Sequence, residues 1–362
     1  MLIVSDGKRG HVHQTEGVVR KLHNVVGKKL EITVTKPYYI FLVLMSFLAR
    51  RMKFSQPLIL FWIQKTTGAS MASLMKFSPD LIISAGSLTH PVTFLLGKIW
   101  NCRTVICMRP SILSPRDFDL VIAPRHDERR CRGENIIYTM GATSHISEGF
   151  IVSEGMTLWA KLKPAIIKDI EENHHRPLGL LVGGDSALNL IPPEMGGALA
   201  RETLKTCQAN NLYLFSTTSR RTAADTELAV RREIENHPRN AYLLLASESP
   251  ENPVPGIIGL CEIVIVTEDS VSMVSEIISG GKHAVVVMVG RRKKQNKFQR
   301  LFEDLRDEQY ITYTTIENLA EDISTLLGMK KQGLKPFDES RKVATEIEKR
   351  FFMAPPGKEA IK

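Results

Sequence analysis

The chain has 362 residues, enough for about two domains at the usual ~150 residues each, so it can bury its cores without disulfide staples. Hydrophobic residues make up 43% and charged residues 24%, which excludes a disordered or fibrous protein and fits an ordinary globular one. The 48 Lys and Arg against 39 Asp and Glu give a net charge of +9, which favours anionic partners: phosphorylated small molecules, nucleic acid or an acidic membrane face.

Leu2–Val4 predicts the first strand, and Ser5-Asp6-Gly7-Lys8-Arg9-Gly10-His11 follows it directly before a helix-compatible run. A Gly-containing turn that feeds a helix N-terminus at the carboxyl end of a parallel strand gathers amides and a helix dipole that favour anions. Lys8 and Arg9 add positive charge, and His11 is the side chain there best suited to general-base work. A second strand is expected over Leu30–Thr35. Two apolar segments come next, Tyr38–Leu48 and Leu58–Ile63. The longer has 11 residues, against the roughly 20 of a transmembrane helix. Lys36, Arg50, Arg51, Lys53 and Lys65 flank the two segments, which predicts docking on an anionic membrane; burial in a core is the competing reading.

Strands at Leu81–Ser84, Thr104–Met108, Leu120–Ala123 and Asn135–Tyr138 complete the first half. Parallel strands all end on one edge, so Gly86-Ser87 with Thr89-His90, Arg109-Pro110-Ser111 and Arg125-His126-Asp127 should lie beside the first loop. Asp117-Phe118-Asp119 imitates an Asp-x-Asp metal clamp, but it abuts the entry side of its strand, and no metal site is expected. Gly141–Pro177 lacks a strand pattern and ends in a polar stretch that reads as a linker. The expected division is a first domain over 1–160, a linker over 161–176, a second domain over 177–336, and an amphipathic tail over 337–362 that packs back on the first.

In the second half strands are expected at Leu178–Val182, Leu212–Thr217, Ala241–Ala246, Ile263–Val266, Ala284–Val289 and Gln309–Tyr313. Gly183-Gly184-Asp185-Ser186 reads as a phosphate cradle and a poor packing element. Ser219-Arg220-Arg221 places two guanidiniums beside hydroxyls, where a diphosphate takes bidentate donors. Asp269, Ser270 and Ser272 open a helix as capping residues, and Glu276 further along it is suited to accept two ribose hydroxyls. Arg291–Lys297 is a basic loop that would neutralise phosphates or acidic lipid; nucleic acid is not the expected partner.

Cys102, Cys107, Cys131, Cys207 and Cys261 form neither a Cys-x-x-Cys pair nor a zinc spacing, which points to a reducing compartment. Met1-Leu-Ile-Val opens without a signal or transit pattern. The expectation is a cytoplasmic protein, peripheral on the cytoplasmic face of the inner membrane where its apolar segments dock.

The motifs DGKRGH followed by Gln14, FDLVIAPRHD, NIIYTMGA, LLVGGDS, TTSRRT and VTEDSVSMVSE resemble the mitochondrial-fission Elm (elongated mitochondria) family, over about Met1–Phe302. That resemblance implies a GT-B glycosyltransferase, an α/β protein of two Rossmann-like domains whose parallel sheets face each other across a cleft. The second half also resembles the peptidoglycan lipid-linked N-acetylglucosaminyltransferase over a short match, in which Asp6–His11 looks like its Gly-rich loop ending in His and Glu276 like its ribose-holding acid. The implied reaction moves a sugar from a nucleotide-diphosphate sugar to a hydroxyl acceptor, including a lipid-linked or cell-envelope glycan, without metal or other cofactor. His11 and Asp6 would be catalytic; Gly183, Gly184, Asp185, Ser186, Ser219, Arg220, Arg221, Asp269, Ser270, Ser272, Met273 and Glu276 would hold the donor. The alternative is a non-catalytic binding protein of the same fold that acts in membrane or organelle remodelling. A nucleotide-sugar epimerase is disfavoured because no Gly-x-Gly-x-x-Gly follows a strand and no Tyr-x-x-x-Lys occurs.

Overall fold

The computed structural model describes residues 1–70, 75, 78–186, 188–292, 297–329 and 335–352. They divide into two units, Met1–His145 with Asp338–Lys362, and Ile146–Phe337.

The first unit is built on six parallel strands: β1 (Leu2–Ser5), β2 (Lys28–Glu31), β3 (Leu81–Ala85), β4 (Arg103–Cys107), β5 (Leu120–Pro124) and β6 (Ile136–Thr139), in the order β2-β1-β3-β4-β5-β6. Side chains alternate across the sheet, so each strand feeds two cores. Val4, Ile82 and Ile106 meet three helices on one side, through Leu42 of α2 (Lys36–Ala49), Leu60 of α3 (Gln56–Thr67) and Leu96 of α4 (His90–Trp100). Ile3, Ile83 and Val105 meet Val18 of α1 (Arg9–Val19) and Val343, Ala344 and Ile347 of the C-terminal helix Glu339–Phe351. The Asp338 carboxylate caps that helix by accepting from the Arg341 amide at 2.8 Å. Strand β2 pairs over Lys28–Glu31, earlier than the apolar Leu30–Thr35 predicts, because it is an exposed edge strand and the buried Ile32 lies just past it.

The second unit repeats the plan with β7 (Arg176–Leu181), β9 (Leu212–Thr217), β10 (Asn240–Leu244), β11 (Ile263–Thr267), β12 (His283–Val287) and β14 (Ile311–Thr314), all parallel, in the order β10-β9-β7-β11-β12-β14. A two-residue antiparallel pair, β8 (Asn189–Leu190) with β13 (Gly290–Arg291), is too short to leave a sequence signature. The helices of this unit include α5 (Glu148–Trp159), α6 (Pro164–Glu172), α7 (Pro193–Ala209), α8 (Ala224–Ile234), α9 (Val254–Leu260) and α10 (Val271–Ser279).

The expected boundary near 160 and linker over 161–176 need correction. Helix α5 packs on α9 with Gly155 against Gly259, so it belongs to the second unit. The polar run read as a linker covers the end of α6, which the Tyr213 hydroxyl ties to the sheet by donating to Asp169 at 2.5 Å. The division therefore falls at His145/Ile146.

Candidate functional site

Both strand orders reverse at one place, between β1 and β3 in the first sheet and between β7 and β11 in the second. At such a switch point the connecting chains leave in opposite directions, which opens a crevice outside the carboxyl ends of the strands. The expected site residues collect at these two places.

In the first unit the loop after β1 carries a carboxylate–imidazole pair. The Asp6 side chain is almost wholly buried, and His11 Nδ1 lies 2.9 Å from its Oδ1 and 3.0 Å from its Oδ2. A proton held on Nδ1 by the carboxylate leaves Nε2 as an acceptor, the arrangement of an oriented general base. The Lys8 amide donates to Asp6 Oδ1 at 3.3 Å and its ammonium lies 3.5 Å from Oδ2. Gly86, at the end of β3 with φ of +92°, lies against the imidazole, and a Cβ there would come within 2.4 Å of the ring. His90 opens α4 in a buried position, where desolvation lowers its pKa to about 4 and keeps it neutral. At the end of β4, Met108 holds φ of 80°, a strained conformation for a non-glycine residue on the same edge.

Asp117 and Asp119 are consumed by structure. Asp117 accepts from the Ser114 amide at 2.7 Å and from Arg50. Asp119 accepts from Arg103 at 2.9 Å and from the amide and hydroxyl of Thr104 at 2.8 and 2.9 Å. Their carboxylates fasten the opposite, entry edge of the sheet.

In the second unit three loops close on one buried acid. Asp269, with its side chain 0% exposed, accepts from the Thr267 hydroxyl at 2.6 Å, the Gly184 amide at 3.0 Å and Arg221 at 2.8 Å. Burial raises its pKa, and those three donors act against the shift. The Gly183 amide donates to Thr267 Oγ1 at 2.8 Å. A Cβ on Gly183 would strike the Asp269 carboxylate at 2.1 Å, and one on Gly184 the Arg221 backbone at 2.1 Å. The paired glycines are thus a packing element, contrary to the cradle expected from sequence: their amides are spent inside the protein and their missing side chains admit the neighbouring loops.

Arg221 likewise serves as a strut. Its guanidinium donates to the carbonyls of Gly184 and Asp185 at 3.3 and 3.4 Å as well as to Asp269. Asp185 accepts from the Ile191 amide at 3.0 Å and from Arg292 at 3.1 Å, and Ser186 Oγ accepts from the Leu188 and Asn189 amides at 3.1 and 3.0 Å. Ser219 accepts from the Arg221 amide at 3.2 Å, while Arg220 stands exposed at the turn.

Helix α10 starts beside this knot. Ser270 occupies its N-cap position but makes no side-chain capping bond, and its first turn carries no acid. The leading amides of a helix have no intrahelical acceptor, so Val271, Ser272 and Met273 present donors at the positive end of the dipole. Glu276 follows one turn later in a buried position.

Sequence reasoning missed Glu268. Its side chain is 0% exposed and accepts from Asn189 at 3.2 Å, from Arg291 at 3.4 Å and from the Tyr313 hydroxyl. The signal lay in the Thr-Glu-Asp-Ser run, which places two adjacent acids at the end of β11. Arg291 and Arg292, read as part of a basic loop, are held by Glu268 and Asp185; residues 293–296 of that run lie outside the described residues.

A model of the family described as mitochondrial fission ELM1 matches residues 9–351. A protein of Rickettsia prowazekii (strain Madrid E), described as uncharacterized protein RP120, is 23% identical over 374 aligned residues that cover 95% of this chain and 96% of that one. Among solved structures, Staphylococcus aureus MnaA with UDP matches at a TM-score of 0.56 and 12% identity, over 96% of this chain and 95% of that one. UDP-GlcNAc 2-epimerase from Neisseria meningitidis, bound to UDP-GlcNAc, matches at 0.54 and 12%, over 96% and 98%. Acinetobacter baumannii MurG gives 0.49 and 12% over 96% and 98%. The likeness at these identities is one of fold, and the fold is the two-sheet α/β architecture of the GT-B class. A protein named an epimerase shares it, so the missing Gly-x-Gly-x-x-Gly and Tyr-x-x-x-Lys motifs do not separate transferase from epimerase.

Proposed function

This chain belongs to the mitochondrial fission ELM1 family, and we propose that it is a metal-independent enzyme acting on a nucleotide-diphosphate sugar, with transfer of the sugar to a hydroxyl acceptor as its reaction. The observation that carries this reading is the placement of both polar clusters at the switch points of their sheets. Two proteins that share the fold are described as bound to UDP or UDP-GlcNAc, which supports a nucleotide-sugar ligand.

The donor's diphosphate is assigned to the α10 N-terminus, with the hydroxyls of Ser270 and Ser272, the amide of Met273 and the exposed Arg220 as its donors. Glu276 takes the ribose hydroxyls. Gly183, Gly184, Asp185, Ser186, Ser219, Arg221 and Asp269 act behind them by fixing the three loops. Fixed donors aimed at the departing diphosphate do the work a metal does elsewhere, because they need no reorganisation as charge develops. In the first unit, Nε2 of His11 removes the acceptor proton while Asp6 steadies the imidazolium that forms. The acceptor is a hydroxyl compound, with a lipid-linked or envelope glycan as the leading class.

Incubating the full chain with nucleotide sugars and candidate hydroxyl acceptors, followed by product analysis, tests the reading. Transfer or slow hydrolysis that releases nucleoside diphosphate is the expected result. Inversion at a sugar carbon without any transfer would replace the transferase by an epimerase, and no turnover with tight nucleotide binding would leave the non-catalytic binding protein.

A further inference from the structure

Helices α2 and α3 each bury one side against the first sheet and leave the other side apolar. On α2, Leu42, Val43 and Met45 face the core, while Ile40, Leu44, Phe47 and Leu48 recur at helical spacing on the opposite side, with Ile40 69% and Leu44 55% exposed. On α3, Ile59, Leu60 and Ile63 are buried, and Leu58 and Phe61 are exposed. The Phe41 and Trp62 rings meet at 4.8 Å and join the two helices. Half of each segment is core, and the other half is exposed surface. A contiguous apolar surface of this kind on a folded unit marks an interaction site.

Charge identifies the occupant. Residues 32–79 contain six Lys or Arg and no Asp or Glu. Lys65 lies over the exposed Phe61 ring at 5.8 Å, and Arg50, whose guanidinium also pairs with Asp117, lies over the Phe47 ring at 4.4 Å; with the exposed Arg51 and Lys53 they set cations beside the apolar side chains. A second copy of the chain would bring like charge against like charge at a self-complementary face. An anionic lipid surface satisfies both halves at once, since acyl chains accept Leu44 and Phe61 while acidic headgroups pair with the rim. No described helix is long and apolar enough to cross a membrane, so the contact is one of the interface.

We infer that the outer face of α2 and α3 docks the first unit on an anionic membrane. The inference does not depend on the transferase reading, because vesicle binding is read without any nucleotide sugar.

Co-sedimentation of the full chain with phosphatidylcholine vesicles, with and without phosphatidylserine, at low and high salt, tests it. The native chain should sediment with the anionic vesicles and lose binding as salt rises. Leu44→Ser/Phe61→Ser should lower the partition by about tenfold or more with unchanged circular dichroism and melting midpoint, because both side chains are exposed. Arg51→Gln/Lys53→Gln, which removes no packing residue of the core, should abolish the preference for phosphatidylserine. Absence of native binding, or equal binding by both variants, overturns the inference. So does a native dimer that Leu44→Ser/Phe61→Ser dissociates while vesicle binding is nil, or capture of an acidic protein in place of lipid.

Discussion

Asp6 and His11 carry the proposed chemistry, and their geometry predicts a separation of effects. His11→Ala should reduce turnover by about a hundred- to ten-thousandfold, the usual worth of a positioned base, while nucleoside-diphosphate affinity stays at the native value. A parallel loss of affinity, read by titration calorimetry, would make His11 a binding residue. The adjacent arginines separate differently. Arg220→Ala should weaken diphosphate binding by about 1.5–3 kcal/mol with an unchanged urea melt, since the side chain is exposed. Arg221→Ala should also lower the urea midpoint of the second unit, because it leaves the buried Asp269 carboxylate short of a partner. Activity should survive exhaustive chelation, given that Asp117 and Asp119 are occupied by protein donors. Loss under chelator with rescue by magnesium or manganese would contradict that.

Buried histidines add a pH dependence. Burial lowers both His90 and His145 to about 4, and the neighbouring His13 and Arg20 charges push His145 the same way. Their folded pKa values lie below the ordinary imidazole value of 6.5, so the unfolded chain takes up protons first as the solution is acidified. Stability is complete above 6.5 and falls as pH drops from there toward 4, by up to about 1.4 kcal/mol per pH unit for each histidine. Urea midpoints across that range should show the decline, and His90→Leu should make it shallower. A flat profile would contradict the burial of the two rings.

Among the elements, helix α10 departs most from what its sequence suggests. Ser-Val-Ser at a helix start predicts a capping side chain, whose removal costs about 1 kcal/mol. Ser270 makes no such bond. Ser270→Ala should therefore leave thermal stability near native and weaken nucleoside-diphosphate binding; a drop in melting temperature with intact binding would restore the ordinary cap. The C-terminal helix makes the opposite prediction. Ile347 is fully buried against the first sheet, so Ile347→Ala should destabilise that unit by about 2–5 kcal/mol in a denaturant melt. An unchanged melt would mean that the helix is not part of the core.

For the molecule as a whole, the sheets were legible because buried parallel strands are unbroken Val/Ile/Leu runs, as in Leu81–Ala85 and Ile263–Thr267. The edge strand β2 was displaced because nothing buries Lys28 and Lys29. The boundary was misplaced because α6 ends in the polar residues Glu171 and Glu172, and solvated helix ends look like linkers. At the sites, residue identity and edge were readable from strand endings, but the direction of each side chain was not. Gly183, Gly184 and Arg221 carry phosphate-binding composition, yet their amides and guanidinium turn inward to Thr267, Asp269 and the neighbouring carbonyls. Glu268 stayed hidden for the same reason: its partners Asn189, Arg291 and Tyr313 are remote in sequence.

In the proposed function the second unit binds a nucleotide-diphosphate sugar at the β7–β11 switch point. Thermal shift of the native chain against a panel of nucleoside diphosphates and their sugars tests it most directly, because a ligand at a hundredfold its dissociation constant stabilises the folded state by about 2.7 kcal/mol. A raised melting temperature is expected with at least one nucleoside diphosphate, lost in Arg220→Ala and in Glu276→Ala, while Arg220→Ala without ligand melts as the native chain does. No shift with any member of the panel, or a shift that both variants retain in full, would contradict it.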